Sequence, residues 1–266
     1  MSSSEPIYVG VDVGASRTKV AILNAGKRLL GHAVQKSGTD FSATANRCLQ
    51  LSLEMADAAK ENIQKVISTG YGRKNVTYAH GSKTEIGCHA KGCYLYYPTA
   101  ITIIDIGGQD NKVIKLDENG RRTSFKMNRK CAAGTGAFLE EMSPRLDIPL
   151  EDMDGLARQS KDMVKLGSFC TVFSGTEVLE NIRRGKQVSD IIKGLFYSVT
   201  KRVIEMDAFS EKVVMTGGVV AHNPYLVTMM EEIIGRPISV PEYPQLTGAI
   251  GAALYALEGS TDPSVG

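Results

Sequence analysis

Two aspartates, Asp12 and Asp105, each close a run rich in β-branched residues, and each is followed two positions later by glycine. The first stands in Ile7-Tyr8-Val9-Gly10-Val11-Asp12-Val13-Gly14-Ala15-Ser16-Arg17-Thr18-Lys19. The second stands in Ile101-Thr102-Ile103-Ile104-Asp105-Ile106-Gly107-Gly108-Gln109-Asp110. A strand that ends in Asp and turns at glycine can aim backbone N–H groups at an anion while its carboxylate faces a cation. Two such loops together suit a nucleotide's phosphates and a Mg²⁺ ion, which takes one or two carboxylates plus phosphate oxygens and waters. A third glycine turn follows late in the chain, in Val213-Val214-Met215-Thr216-Gly217-Gly218-Val219. One copy alone reads as an ordinary turn without a ligand. The repetition is what points to a site.

Cysteine is the second chemistry-bearing residue type. Cys131 lies in Met127-Asn128-Arg129-Lys130-Cys131-Ala132-Ala133-Gly134-Thr135-Gly136, and Cys170 in Ser168-Phe169-Cys170-Thr171-Val172-Phe173. Cys131 is expected where a helix begins, a place whose unpaired N–H groups and dipole favour a thiolate or an anionic cluster. Two thiolates cannot close a four-thiolate iron–sulfur site. A two-fold dimer can, because each subunit presents the same surface to the axis. The plain alternative is that both are small buried hydrophobes. Cys48, Cys88 and Cys93, the last two near His89, lack zinc-site spacing and read as packing residues. Lys19 either reaches a phosphate or is a solvated strand residue.

The elements that must carry these residues follow from periodicity and punctuation. Strands are expected at 7–13, 18–23 and 29–34, then a helix over 41–60, a strand at Val66–Thr69 and a helix over 85–97 ending before Pro98. A second series has strands at 101–106, 111–116 and 122–127 with a turn at Asp117-Glu118-Asn119-Gly120. Helices follow near 131–142, 151–160, 174–184 and 188–208. A strand at 212–216, a helix near 223–234, a short strand at 238–240 and a last helix from Thr247 to Leu257 complete the chain. The division reads as a first half over 1–98, a second half over 99–246, and a final helix (247–258) that packs back towards the first half.

Composition excludes several classes. The 266 residues are 42% hydrophobic and 23% charged, with a net charge of +2, as in an ordinary soluble globular protein. No basic stripe argues for nucleic acid, no apolar stretch is long enough for a membrane helix, and the start lacks the pattern of a signal peptide. A cytoplasmic location is expected. The five cysteines are odd in number and scattered, which argues against a disulfide framework.

The order of the three loops over two similar halves resembles the actin, Hsp70 and sugar-kinase superfamily. This implies a duplicated α/β (ribonuclease H-like) ATPase fold with a cleft between the copies. Four stretches are more specific: Asp105 to Asp110, Lys130 to Gly136, Cys170-Thr171-Val172-Phe173, and Gln245 to Ala253. Through them the chain resembles the ATP-dependent activators of (R)-2-hydroxyacyl-CoA dehydratases and the ATPase subunits of benzoyl-CoA reductase.

The resemblance implies a homodimer or pseudo-symmetric heterodimer with one [4Fe–4S] cluster, ligated by Cys131 and Cys170 of each subunit. It implies ATP hydrolysis to ADP that drives a low-potential electron, received from ferredoxin or flavodoxin, into an acyl-CoA dehydratase or aromatic acyl-CoA reductase. Asp12 and Asp105 then position Mg²⁺ directly or through water. Gly14, Ala15, Ser16, Thr18, Lys19, Gly107 and Gly108 belong to the phosphate loops, and Gly217 and Gly218 back the adenosine. Gln109 orients the attacking water with support from Asp110, and Gly248 belongs to a hinge. The chain departs from the family pattern at Arg129, where an acidic residue is usual, and at Ser174-Gly175-Thr176-Glu177, where Ala-Glu-Ser-Glu is usual. Both departures lie beside the implied cluster ligands. The rival reading is a small-molecule kinase of the same fold, which needs a general base beside an acceptor pocket.

Overall fold

The computed structural model describes residues 5–128, 132–167 and 171–261. In chain order its strands and helices are β1 (Ile7–Val13), β2 (Arg17–Asn24), β3 (Leu29–Lys36), α1 (Phe41–Ala56), β4 (Ile63–Thr69), β5 (Gly81–Ser82), α2 (Glu85–Tyr96), β6 (Ile101–Ile106), β7 (Asn111–Leu116), β8 (Arg122–Asn128), α3 (Gly136–Leu146), α4 (Met153–Gln159), α5 (Thr171–Arg183), α6 (Val188–Ile204), β9 (Val213–Thr216), α7 (Gly218–His222), α8 (Pro224–Ile234), β10 (Ile238–Ser239) and α9 (Thr247–Thr261). Two compact units emerge: residues 1–99, 116–122 and 246–266, and residues 100–115 and 123–245.

The first unit holds a five-stranded sheet in the order β3-β2-β1-β4-β5. β1 pairs antiparallel with β2 and parallel with β4. Every residue of β1 is buried, because helices cover both faces of this central strand. Ile7, Val9, Val11 and Val13 pack with Ala45, Cys48 and Leu49 of α1. Side chains alternate along a strand, so Tyr8, Gly10 and Asp12 point to the other face, where α9 lies. Gly10 is what lets α9 approach: a Cβ there would stand 1.9 Å from the Ala249 carbonyl oxygen.

The second unit repeats the plan, with sheet order β10-β9-β6-β7-β8 and β6 buried along its whole length. Ile104 and Ile106 enter a core with Phe138, Leu139 and Met142 of α3 and Leu195, Phe196 and Val199 of α6.

Several element ends differ from expectation: β4 starts at Ile63, α5 starts at Thr171 and α9 runs to Thr261. α1 stops at Ala56, because Asp57 takes a left-handed conformation (φ 47°) and caps the helix onto Leu53 and Glu54. α6 ends at Ile204. α3 begins at Gly136, with Thr135 as its N-cap, and not at Cys131. The glycine-containing segment before it forms a turn in which the Thr135 amide donates to the Ala132 carbonyl at 3.0 Å, with Gly134 at φ 86°. Among the described residues, no helix is long and apolar enough to cross a membrane.

Candidate functional site

The β1–β2 hairpin sets the first candidate loop. The Gly14 amide donates to the Arg17 carbonyl at 3.1 Å, closing the turn. Ser37 braces it from β3's end: its hydroxyl donates to the Gly14 carbonyl at 2.6 Å and lies 2.9 Å from the Thr18 hydroxyl. Thr18 is thus fully buried and supports the loop, while Ala15 is exposed and Ser16 half-buried. Asp12 and Lys19 are direct cross-strand partners in the antiparallel ladder. Lys19 Nζ reaches Asp12 Oδ2 at 3.0 Å, so the lysine is paired with the carboxylate.

Asp12 is 2% exposed, and its Oδ1 is buried with no hydrogen-bond partner among the described residues. A buried carboxylate oxygen with nothing to accept from is costly. Two glycines crowd around it. Gly70 adopts φ 87°, and a Cβ on it would stand 2.5 Å from Asp12 Oδ1. Gly248 opens the α9 side, where a Cβ would stand 3.0 Å from Asp12 Oδ2; this places Gly248 beside the carboxylate. His89 of α2 holds the start of α9 through its Nδ1, 3.0 Å from the Thr247 hydroxyl. An orphaned carboxylate oxygen in a cradle made by glycines fits a hydrated divalent cation, whose preferred ligand is carboxylate oxygen.

The β6–β7 hairpin of the second unit is built the same way. The Gly107 amide donates to the Asp110 carbonyl at 2.9 Å. Asp105 and Lys112 stand seven positions apart, as Asp12 and Lys19 do, and Lys112 Nζ lies 2.9 Å from Asp105 Oδ2. Lys112 also reaches Asp110 Oδ1 at 2.6 Å, so one buried ammonium serves two carboxylates. The carbonyls of Gly107 and Gly108 accept the first amides of α3, from Gly136 at 2.9 Å and Ala137 at 2.7 Å. This anchors the loop to a helix N-terminus. Gln109 is exposed at the loop tip.

The third loop is joined to the second. Thr216 Oγ1 donates to Asp105 Oδ1 at 3.1 Å. Gly217 then turns with φ 104°, and a Cβ on it would stand 2.3 Å from the Ile106 carbonyl oxygen. Its amide donates to the Pro244 carbonyl at 2.9 Å, and Gly218 begins α7. Asp105 is therefore held at both oxygens, which distinguishes it from Asp12.

Cys131 and Cys170 lie outside the described residues. Among the described residues, Cys48, Cys88 and Cys93 are buried, and no group of three or more His, Cys, Asp or Glu side chains is placed to hold a metal. Burial pushes the Cys48 thiol up to about 11 and the Cys88 thiol up to about 12, so at neutral pH both remain thiols and not thiolate ligands.

Residues 9–256 match the BadF/BadG/BcrA/BcrD ATPase family. The chain belongs to that family. Over 253 residues it is 43% identical to the activator of lactoyl-CoA dehydratase from Anaerotignum propionicum, covering 94% of this chain and 97% of the relative. The structure of the activator of the 2-hydroxyisocaproyl-CoA dehydratase from Clostridium difficile with bound ADPNP superposes with a TM-score of 0.89 at 39% identity, covering 96% of this chain and 95% of that one. A ROK family glucokinase from Streptomyces griseus shares the fold alone, with a TM-score of 0.58 at 12% identity, covering 95% of this chain and 100% of that one. The fold of this family member is the α/β actin- and sugar-kinase-like ATPase fold, and the protein is an ATPase of that class.

Lys112, Thr216 and Gly70 escaped the sequence reading. For Lys112 a signal existed: the Asp-to-Lys interval of seven is the same in both hairpins. For Thr216 and Gly70 none did, because each meets its aspartate across strands far apart in sequence.

Proposed function

We propose that the protein is an ATP-driven activator that delivers a low-potential electron to a (R)-2-hydroxyacyl-CoA dehydratase-type partner. The observation that carries this is similarity to a dehydratase activator over nearly the whole chain, with both Cys131 and Cys170 inside the matched span. MgATP is assigned to the Asp-Gly hairpins, and Asp12, with its orphaned Oδ1, is the first anchor for the metal. The metal's contribution is to neutralise charge on the phosphates. The amides of Gly14 and Gly107 close their own hairpins, so the phosphate-facing donors are assigned to Ala15, Ser16, Gly108 and Gln109. Lys19, paired to Asp12 at the rim, can turn to a phosphate oxygen. Lys112 is a positioning residue that keeps Asp105 and Asp110 in register, with Asp105 acting on the metal through water. Gln109, exposed at the loop tip, orients the attacking water.

Cys131 and Cys170 of two copies are assigned to one [4Fe–4S] cluster, which supplies the one-electron carrier. α5 starts at the residue after Cys170 and exposes Phe173, Leu179 and Ile182, apolar surface suited to a second subunit. Ferredoxin or flavodoxin is assigned as donor. The test is anaerobic purification followed by iron and acid-labile sulfide analysis, then electron transfer to a dehydratase with and without ATP. About four irons per dimer, lost in Cys131→Ser and Cys170→Ser but kept in Cys48→Ser, are expected, with transfer only when ATP is present. A colourless, iron-free protein that phosphorylates a small acceptor overturns the reading in favour of the kinase.

A further inference from the structure

A cavity of about 610 Å³ lies wholly within the first unit, bounded by α2, α9, the β2–β3 hairpin tip and the turn at 117–121. Its size is that of a small-molecule site. Lys27, Lys91, Arg121 and Arg122 line it, and Glu258 is the single carboxylate among its lining residues. None of them belongs to the two Asp-Gly hairpins. The positive charges come from separate elements, so their convergence is a product of the fold.

Lys91 is held in place by side-chain contacts, and the turns that carry Lys27, Arg121 and Arg122 are fixed through their backbone. Lys91 Nζ lies 2.7 Å from Glu258 Oε1 and 4.8 Å from the centre of the Tyr255 ring, whose environment also includes Lys83 at 5.3 Å. Arg121 and Arg122 follow a turn pressed onto α2. Gly120 (φ 73°) would put a Cβ 2.8 Å from the Tyr94 ring, and the Tyr94 hydroxyl donates to the Glu118 carbonyl at 2.7 Å. Lys27 takes a left-handed conformation (φ 64°) in a hairpin whose Asn24 carbonyl accepts the Lys27 amide at 3.0 Å. Glycine is the favoured residue at such a position, so the lysine side chain is kept there against backbone preference. Neither Lys27 nor Arg121 has an ion-pair partner among the described residues.

We propose that this cavity binds a small polyanion bearing two or more phosphate groups, separately from the nucleotide assigned to the Asp-Gly hairpins. Arginine forks match phosphate oxygens in pairs, and lysines supply point charges. Several cations around one cavity favour a ligand with several anionic groups over one with a single charge.

The test is calorimetric titration of inorganic pyrophosphate into the full chain, with the hairpin site saturated by ADP and magnesium in excess. Binding of one pyrophosphate per chain is expected, weakening as salt rises. Arg121→Gln and Lys27→Gly are each expected to raise Kd at least about tenfold. Lys60→Gln, an exposed lysine elsewhere, is expected to leave it unchanged. Lys27→Gly relieves the left-handed backbone, so it is expected to melt no lower than the parent, which separates lost binding from lost folding. Basal ATP hydrolysis is expected to persist in Arg121→Gln. No pyrophosphate heat, equal affinity in all variants, or inorganic phosphate binding as tightly as pyrophosphate each overturns the proposal.

Discussion

Lys112 Nζ lies 2.9 Å from Asp105 Oδ2 with both side chains almost wholly buried, inside a hairpin that repeats the Asp12–Lys19 arrangement of the first unit. The two pairs are built alike and stand in different environments. Asp105 accepts from Lys112 and from Thr216, whereas Asp12 keeps one buried oxygen without a partner among the described residues. One carboxylate is locked by the protein; the other keeps an oxygen whose lone pairs can be donated to a cation.

Removing the buried ammonium should therefore be costly. Lys112→Met leaves Asp105 and Asp110 without the cation they share. Breaking a buried pair on one side costs about 3–5 kcal/mol. Urea unfolding should show a midpoint lowered by that free energy divided by the slope, with the slope itself unchanged. A loss under about 1 kcal/mol, the range of an exposed ion pair, would mean that Lys112 does not hold the loop.

Asp12→Asn should behave in the opposite way. The substitution removes a charge whose Oδ1 gains nothing in the protein, and Lys19, 17% exposed, can turn to water. Stability should change by less than about 1 kcal/mol. Magnesium-dependent ATP hydrolysis should fall on the order of a hundredfold, as when a preorganised electrostatic group is lost. Steady-state phosphate release beside a melting curve separates the two effects; normal hydrolysis would remove Asp12 from the metal site.

Both hairpins were legible because strand, aspartate and glycine are local signals, each fixed within about ten residues by alternation and turn chemistry. The final helix was legible from its apolar run, but its role at Asp12 was not, since Gly248 and Asp12 lie more than two hundred residues apart. The start of α3 was misplaced for a related reason. Ala132 to Thr135 can be read as a helix, yet a Cβ on Gly134 would meet the Arg202 side chain of α6 at 2.9 Å, a contact that only the folded unit creates. The left-handed Asp57 that ends α1 escaped because aspartate is a weaker stop signal than glycine.

The third loop should be as intolerant as the first two. Gly217 has φ 104°, and a Cβ would collide with the Ile106 carbonyl oxygen and stand 2.9 Å from Asp105 Oδ1. Gly217→Ala should cost about 1–3 kcal/mol in backbone strain and displace the carboxylate that Thr216 holds. Thermal melting should register the first effect and ATP hydrolysis the second. A variant that matches the parent in both would show that the turn relaxes freely.

The buried thiols give the protein an alkaline limit. Cys48 and Cys88 have ordinary values of 9.0 and are pushed up to about 11 and about 12, in each case chiefly by burial; the Asp12 charge adds to the rise at Cys88. A raised folded-state value means that the neutral thiol is the form the fold prefers. Its contribution to stability is complete below pH 9, where the unfolded thiol is also neutral. It is lost as pH climbs from 9 towards 11 for Cys48 and 12 for Cys88, because the unfolded chain ionises first. Within that window each thiol should remove up to about 1.4 kcal/mol per pH unit. Urea midpoints measured from pH 8 to 10.5 should therefore fall more steeply for the parent than for Cys48→Ala. Iodoacetamide at pH 8 should leave both thiols unlabelled until denaturant is added. Equal slopes in parent and variant, or rapid labelling of the folded protein at these cysteines, would show that the thiols are not protected by the core that surrounds them.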